Sequence, residues 1–258
     1  MDTQLLMNTA MMAGEIMLCS GAETYRVEDT MHHIIKTADE LEIAEILVIM
    51  TGISATLKVR DEEMITSVKR VEAHETNLRR VVDVNAISRR YCGEEISLEA
   101  AYQELSSLKE KEFGRHTHSA ALIGICAGFV LFFGGDLWDL VAATGVGAFL
   151  AICSSAGEDL GFNALIQDIF ASMGVAIATI VLKAVLGERM NMDIVMIGSI
   201  MPLVPGVAIT NAVRDTLKGD YLSGAARILE AFLTATGIAI GIALGFAIFG
   251  TVLRGGWN

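Results

Sequence analysis

Residues 108–135 read LKEKEFGRHTHSAALIGICAGFVLFFGG, and the change of composition within this stretch decides the fold. Its first eight residues carry five charges, whereas no charged residue occurs from Ser119 to Gly135. An apolar run of roughly 18 residues is long enough to cross a bilayer as a helix. We therefore predict a polar half that ends here and a membrane-spanning half that follows it.

Four further apolar runs follow, so we predict five spans: 119–135, 138–156, 166–186, 194–213 and 227–250. The mean hydropathy of +0.51 agrees with this reading. The predicted fold class is an α-helical integral membrane protein with five transmembrane helices, preceded by a small α/β cytoplasmic domain. The predicted domains are 1–115 and 116–258. No cleavable signal peptide is predicted, because residues 1–18 lack a basic n-region.

Basic residues beside the spans favour a cytoplasmic N-terminus. Residues 1–115 are placed inside because the inner flanks then hold six basic residues: Lys109, Lys111, Arg115, Arg214, Lys218 and Arg227. The outer flanks hold three: Lys183, Arg189 and Arg254. We predict a multi-pass protein of the cell's inner (plasma) membrane, with Asn258 outside.

The polar half shows helical and strand periodicities in turn. Apolar residues recur at helical spacing over 3–19 and 21–41. Three short β-rich runs within 43–72, separated by turn residues, predict antiparallel hairpins. Two more helices are predicted over 74–92 and 97–112, which completes a small α/β domain.

The segment CSGAETYRVEDTM, residues 19–31, concentrates charge between the first two helices. Ser20 followed by Glu23 has the spacing of a capping box, in which each side chain bonds the other residue's backbone N–H. Arg26 lies within reach of Glu23 or Asp29 on the same helix. Two readings remain open: the charges hold a helix end, or the motif docks on loops below the membrane.

The fourth predicted span, MIGSIMPLVPGVAITNAV, contains two prolines. Proline has no N–H, so the carbonyls of Gly198 and Met201 are expected to lose their helical partners. A helix broken within the membrane is tolerated where it lines a cavity, and transporters bind ions and substrates at such breaks. A packing kink is the alternative. The candidate pathway residues here are Pro202, Pro205, Gly206, Thr210 and Asn211.

Polar residues at the start of the third span join this candidate substrate and ion pathway: Asn163, Gln167 and Asp168. Asp168 lies either at the interface, where it is ordinary, or one to two turns inside, where a carboxylate is costly and functional. The loop 213–227 contains Asp215 and Asp220, which with Arg214 and Arg227 form a gate against the N-terminal domain or else a solvated turn.

Several classes of chemistry find no support in the sequence. The four cysteines have no paired spacing, and the histidines lack a metal-binding motif, so neither a metal nor a cofactor is predicted. The net charge of −12 without a basic patch argues against nucleic acid. Ser88 or Cys92 with His74 is the best available pair for a hydrolase, and it is a poor one.

The segment SGAETYRVEDTM, the strands IAEILVIMTGISATL, and the spans with PLVPG and GDYLSG resemble the threonine/serine exporter family (ThrE) over nearly the whole chain. By position, the family's first signature falls on Gly21, Glu23, Thr24, Arg26, Val27 and Glu28. Its proline-glycine motif falls on Pro202, Pro205 and Gly206. With five spans, the chain is similar to the larger subunit of the family's split, two-gene form (YjjP-like).

The resemblance implies a proton-driven secondary exporter of small hydrophilic metabolites, either threonine/serine-type amino acids or small dicarboxylates such as succinate. A separate small membrane protein would supply the remaining spans, and a homo-oligomer is possible. The 19–31 motif, with Asp215 and Asp220, is expected to couple the cytoplasmic domain to the inner gate. The alternatives are a membrane-anchored hydrolase-like enzyme and a non-transporting regulatory subunit.

Overall fold

The computed structural model describes residues 2–71, 76–109 and 114–255, with side chains described as far as residue 249. The elements follow in this order: α1 (Thr3–Cys19), α2 (Thr24–Ile35), β1 (Leu41–Ile49), β2 (Gly52–Val59), β3 (Ile65–Arg70), α3 (Leu78–Cys92), α4 (Leu98–Lys109), α5 (Arg115–Phe132), α6 (Leu137–Asp159), α7 (Ala164–Leu186), α8 (Met192–Ile200), α9 (Gly206–Leu217) and α10 (Tyr221–Gly255). Short 3-10 turns lie at Gly187–Arg189 and Met201–Leu203.

These elements form two compact units. The first contains the described residues of Met1–Glu112 together with Gly206–Leu229. The second contains those of Phe113–Pro205 and Glu230–Asn258. The predicted boundary at residue 115 stays a prediction, and the structure adds α9 and the start of α10 to the unit formed by the N-terminal half.

The first unit confirms the small α/β fold expected of the N-terminal half. Its sheet has three antiparallel strands in the order β1-β2-β3. The helix predicted over 3–19 is confirmed as α1. Asp2 caps the N-terminus of this helix, because its side chain accepts from the Leu5 N–H at 2.9 Å. The helix predicted over 21–41 is shorter, because Gly21 turns the chain with φ of 82° and β1 begins at Leu41.

The core of this unit forms around α1, which is buried on most of its surface. Leu6, Met7 and Met17 are fully buried, and each such side chain contributes about 1.5–3 kcal/mol of hydrophobic stabilisation. Gly14 lets α1 approach α2 closely. A Cβ at that position would overlap Met31 Sδ and lie 3.1 Å from Ile53 Cδ1, so the core leaves no room for a side chain there.

Within the described residues, three helices are long and apolar enough to cross a membrane: α6, α7 and α10 over Tyr221–Phe249. A fourth span is counted if Met192–Leu203 and Gly206–Leu217, bent by 56°, are taken together. α5 falls short because it begins with the polar sequence RHTH. Its apolar part of about 14 residues is roughly 21 Å long, against a hydrocarbon core of about 30 Å. Five spans therefore remain a prediction.

Small residues allow α10 to pack tightly on α7 within the second unit. A Cβ on Gly237 would lie 3.1 Å from Leu165 Cδ1, and one on Gly241 would overlap the Ile169 carbonyl. Gly245 likewise lies against Met173, whose carbonyl a Cβ would approach to 3.1 Å. This row of glycines is the small-residue pattern that lets helices approach closely in lipid.

The glycines of the first predicted span behave differently. Among the described residues, nothing lies within 4 Å of a Cβ built on Gly124 or Gly128. Although they have the same four-residue spacing, these two glycines make no close helix contact within the described part of the chain. The close approach to α5 is made instead by Gly147 of α6, where a Cβ would lie 3.0 Å from Ile123 Cα.

The predicted break in the fourth span is present, and a 3-10 hydrogen bond replaces one of the α-helical bonds that it removes. The chain leaves α8 through the 3-10 turn Met201–Leu203, and α9 begins at Gly206. The Met201 carbonyl loses its α-helical partner at Pro205, as expected, but it accepts from the Val204 N–H at 3.2 Å and is not left without a hydrogen bond. In a 3-10 turn, the carbonyl of residue i accepts from the N–H of residue i+3. It therefore does not need an N–H from the proline at i+4.

Candidate functional site

The turn between α1 and α2 presents two carbonyl groups to side chains from distant parts of the sequence. Asn211 Nδ2 of α9 donates to the Gly21 carbonyl at 2.8 Å, and Arg227 Nη2 of α10 donates to the Ala22 carbonyl at 2.8 Å. The positive φ at Gly21 favours glycine, which has no Cβ to clash. The 19–31 motif is therefore fastened to α9 and α10 by its backbone.

Thr24 begins α2 and contacts two aspartates. Its N–H donates to Asp215 Oδ1 at 3.2 Å. Its Oγ1 lies 3.0 Å from Asp215 Oδ1 and 2.8 Å from Asp220 Oδ2. Thr24 is 1% exposed and Asp215 is fully buried. The interpretation of this loop as a solvated turn is thus wrong for Asp215.

Asp215 also forms a buried ion pair with Arg227. Arg227 Nε lies 3.0 Å from Asp215 Oδ2, and the two side chains are 5% and 0% exposed. Buried charges are tolerated when they are paired and hydrogen-bonded, and Arg227 meets both conditions through Asp215 and the Ala22 carbonyl. This pair links the end of α9 to the first turns of α10.

Asp220 caps the start of α10. Its Oδ1 accepts from the Ser223 N–H at 3.2 Å, and its second oxygen faces Thr24. A carboxylate at a helix N-terminus is stabilised by the unpaired N–H groups and the helix dipole. Asp220 therefore joins α2 to the first turn of α10.

Glu23 does not form the predicted capping box with Ser20. Ser20 is the C-cap of α1, and its buried hydroxyl has no hydrogen-bond partner within the described part of the chain. Glu23 is instead the N-cap residue of α2, and its side chain pairs with Arg214 of α9 and with Arg26, the latter at 3.4 Å. The capping box fails because the turn at Gly21 separates the two helices, and the pairing of Arg26 with Glu23 is confirmed.

Electrostatics act on Glu23 in opposing directions. Burial raises the pKa of its carboxyl, but its backbone N–H and the Arg214 and Arg26 guanidinium groups outweigh burial and hold the pKa below its ordinary value of 4.5. Glu23 is therefore ionised at neutral pH. It supplies the negative partner for a basic side chain on each of two helices.

Glu28 holds α2 against the sheet. Its Oε1 accepts from the backbone N–H of Val48 in β1 at 2.9 Å. Burial raises the pKa of Glu28 above 4.5 despite that hydrogen bond, and the negative charges of Asp220 and Asp215 raise it further. Glu28 therefore has a structural partner of its own and lies within the electrostatic field of the two aspartates.

α9 has the reverse of the usual amphipathic pattern. Asn211 and Asp215 are buried, whereas Ile209, Val213 and Leu217 are 48%, 53% and 80% exposed. These three apolar residues recur every four positions and share one face of the helix. A helix in contact with lipid is expected to turn its polar groups inward and its apolar groups outward.

The other predicted pathway residues lie at the start of α7, in the second unit. Asn163 caps α7, with its Oδ1 accepting from the Ile166 N–H at 2.9 Å. Gln167 Nε2 donates to the Ser154 carbonyl of α6 at 2.9 Å, and its Oε1 is buried without a partner among the described residues. Asp168 follows in the first turns of α7 and lies 3.2 Å from where a Gly237 Cβ would be.

The predicted pathway is therefore distributed over both units. Pro202 and Pro205 belong to the second unit, and Gly206, Thr210 and Asn211 belong to the first. Thr210 is exposed, and its hydroxyl donates to the Gly206 carbonyl at 2.9 Å within its own helix. Of these residues, only Asn211 is brought into the network around Thr24. The role of the remainder stays a prediction.

Sequence reasoning placed Asp215, Asp220, Arg214 and Arg227 near the N-terminal half without distinguishing their partners. It missed Ser223, whose hydroxyl is buried without a partner in the described ranges. It also missed Asp139 of α6, which is 3% exposed and accepts from the Asn191 N–H at 2.7 Å. The spacing of Asp136 and Asp139 at the start of α6 is a capping-box signal that could have identified Asp139.

The residues considered for hydrolase or metal chemistry are not arranged for it in the described ranges. His74 lies outside the described residues. Ser88 Oγ donates to the Asn85 carbonyl at 3.4 Å, and burial raises the pKa of the Cys92 thiol, which disfavours the reactive thiolate. Within residues 2–71, 76–109 and 114–255, no group of three or more His, Cys, Asp or Glu side chains is placed to hold a metal ion.

The fold and the site together define a class: multi-pass helical membrane proteins with an N-terminal α/β unit and a buried network of ion pairs. The family model described as "Putative threonine/serine exporter" (ThrE) matches residues 8–249. The chain belongs to this threonine/serine exporter family.

Two curated relatives support the assignment over nearly the whole chain. A "Probable threonine/serine exporter" of Mycobacterium tuberculosis is 21% identical over 94% of this chain and 46% of its own length. "Pheromone-regulated membrane protein 10" of Eremothecium gossypii is 24% identical over 92% of this chain and 32% of its own length. The chain thus spans less than half the length of either relative. No solved structure matches it.

Proposed function

We propose that this chain is part of a secondary exporter of small hydrophilic metabolites, and that the network around Thr24 forms its inner gate. The substrates are threonine/serine-type amino acids or small dicarboxylates such as succinate, and export is driven by the proton gradient. Family membership supports export. The gate is supported by one observation: the 19–31 motif is bonded to α9 and α10 through Thr24, Asp215, Asp220 and Arg227.

This network is well placed to control a transport pathway. α9 directly follows the proline-containing break, and α10 continues from the network as a candidate membrane-spanning helix to Phe249. A change of contacts at Thr24 therefore acts on the ends of both helices. Broken helices bind substrates and ions in transporters of several folds, which supports a role for Pro202, Pro205 and Gly206.

The remaining parts of the proposal concern topology and pathway. We propose five spans, including α5, in the inner membrane of the cell. Residues 1–115 then lie in the cytoplasm, as the basic residues beside the spans favour. The pathway includes Asn163, Gln167 and Asp168 at the start of α7, together with Thr210 and Asn211 of α9. The partial burial and helix position of Asp168 support this role, since a carboxylate within a span is costly unless it serves a function.

A second, smaller membrane protein is proposed to work with this chain. The support is the resemblance to the family's split, two-gene form; the mycobacterial relative is more than twice as long as the region that this chain matches. Co-expression distinguishes a companion from an autonomous exporter. Export by this chain alone contradicts the companion, and export only with both chains supports it.

The test is the measurement of small metabolites outside cells that lack or overproduce this chain, with and without its companion. We expect amino acids or dicarboxylates to accumulate outside wild-type overproducers. Thr24→Val and Arg26→Ala should abolish the accumulation while the protein remains in the membrane. Asp29→Asn is the matched control, because Asp29 lies on the same helix with its side chain 69% exposed. Wild-type export by Thr24→Val and Arg26→Ala would contradict the gate.

A further inference from the structure

The hydroxyl of Thr24 lies between two carboxylates but has only one hydrogen to donate. Oγ1 is 3.0 Å from Asp215 Oδ1 and 2.8 Å from Asp220 Oδ2. A threonine hydroxyl carries one hydrogen, and an ionised carboxylate is only an acceptor. If both aspartates are ionised, one contact is a hydrogen bond and the other brings two acceptor oxygens together without a hydrogen.

The other donors that reach these two carboxylates do not supply this hydrogen. Asp215 Oδ1 accepts from the Thr24 N–H, and Asp215 Oδ2 accepts from Arg227 Nε. Asp220 Oδ1 accepts from the Ser223 N–H. A protonated aspartate would supply the missing hydrogen between the hydroxyl and the second carboxylate.

We infer that Thr24, Asp215 and Asp220 form a proton-binding site in which two aspartates share one proton through the threonine hydroxyl. When the proton is bound, the carboxylic acid donates its O–H to Thr24 Oγ1, and Thr24 donates its own hydrogen to the ionised carboxylate. When the proton leaves for water, two carboxylates face one hydroxyl, and their like charges repel. The proton belongs to the pair of aspartates.

The surroundings of the pair fit a site that gains and loses a proton. The charged groups that these helices and their ends carry in this region are Glu23, Arg26, Glu28 and Asp29 around α2, Arg214 and Lys218 around the end of α9, and Arg227 of α10. Arg227 pairs directly with Asp215. Asp220 has two neutral hydrogen-bond donors, the Ser223 N–H and Thr24.

A separate observation also points to a ligand at this place. Ser223, whose N–H binds Asp220, is 1% exposed, and its hydroxyl has no hydrogen-bond partner in the part of the chain that the structure describes. A buried hydroxyl without a partner is costly. This hydroxyl, in the residue whose N–H binds Asp220, can donate to or accept from a group that the described residues do not supply.

The proton would fasten α2 to α9 and α10 and would release one of these contacts when it leaves. This consequence deepens the proposed gate and rests on the proposed function. The binding of the proton itself does not depend on transport, because it follows from the hydrogen-bond geometry alone. A spectroscopic titration can therefore fail or succeed independently of an export assay.

The experiment is infrared difference spectroscopy on the purified full chain in lipid nanodiscs, titrated from about pH 5 to about pH 9. We expect the carbonyl band of a protonated carboxylic acid to disappear as the pH rises. Asp215→Asn and Asp220→Asn should each remove this band, and Asp29→Asn should leave it unchanged. A wild-type chain without a titrating band, or a titrating signal that neither aspartate substitution changes, would overturn the proposal.

Thr24 variants keep the test decisive if an aspartate variant does not fold. Thr24→Ser keeps the hydroxyl and should keep the band with its midpoint. Thr24→Val removes the shared hydrogen-bonding group and should move the midpoint by about one pH unit. An unchanged midpoint in Thr24→Val contradicts a proton held through the hydroxyl. Wild-type export by Thr24→Val, with its midpoint moved, would instead count against the gate and leave the proton site standing.

Discussion

Asp215 Oδ2 of α9 lies 3.0 Å from Arg227 Nε of α10, and both side chains are almost completely buried. Removing one partner leaves the other charge buried and unpaired, which costs about 3–5 kcal/mol. We expect Arg227→Met to lower the melting temperature of the purified chain strongly. Arg227→Met combined with Asp215→Leu should be less destabilised than the sum of the two single variants. Additive effects in this double-mutant cycle would show that the two charges do not interact.

The depressed pKa of Glu23 predicts a loss of stability in acid. A carboxyl whose pKa is lowered on folding stabilises the protein above its unfolded value of 4.5, and this contribution is lost as the pH falls below 4.5. Glu23→Gln should therefore melt below the wild type at neutral pH, and the difference should shrink on acidification. Melting curves across this range provide the check. Glu62→Gln, in the exposed β2–β3 turn, is the control and should show no such convergence.

Glu28 should show the opposite sign. Its pKa is raised on folding, so folding favours its protonated form, and stability from this group is lost as the pH rises from 4.5 through the raised value. Glu28→Gln keeps an oxygen that can accept from the Val48 N–H but has no charge to lose. We expect its melting temperature to depend less on pH than that of the wild type. A steeper dependence on rising pH in Glu28→Gln would contradict this assignment.

The packing of α10 on α7 predicts a marked difference between two glycines. Gly241→Val places side-chain atoms against Ser172 and the Ile169 carbonyl, and a backbone group cannot move aside easily. Overpacking of this kind costs about 1–3 kcal/mol. Gly128→Val introduces the same residue type into a helix where nothing described lies within 4 Å. Thermal melting of both variants should show a lower melting temperature for Gly241→Val, and equal values would contradict the close contact.

Most of the first unit was predictable because its signals are local. The periodicity of residues 3–19 identified α1, and turn residues between β-rich runs identified the three strands. The capping box was predicted wrongly, since the Ser20–Glu23 spacing does not reveal that Gly21 adopts a positive φ and ends one helix before the next begins. The predicted first span, 119–135, extends past the end of α5 at Phe132, because Gly134 turns the chain with a positive φ that the apolar pattern does not show.

The site was only partly predictable because its partners lie far apart in the sequence. Thr24 and Asp215 are 191 residues apart, and no spacing rule connects them. A loop with Asp215, Asp220 and two arginines reads equally well as a gate or as a solvated turn. Burial distinguishes the two readings, and burial of Asp215 depends on tertiary packing that the local sequence does not encode.

The measurement that tests the account most directly is the flux of labelled threonine through liposomes that contain this chain and its companion, with an imposed pH gradient. The account predicts that the pH gradient accelerates flux in the wild type and in Asp29→Asn. Thr24→Val should show no such acceleration, although the protein is inserted in equal amount, and Thr24→Ser should restore it. Equal gradient-driven flux in wild type and Thr24→Val would contradict the central claim that the contact of Thr24 with Asp215 and Asp220 controls export.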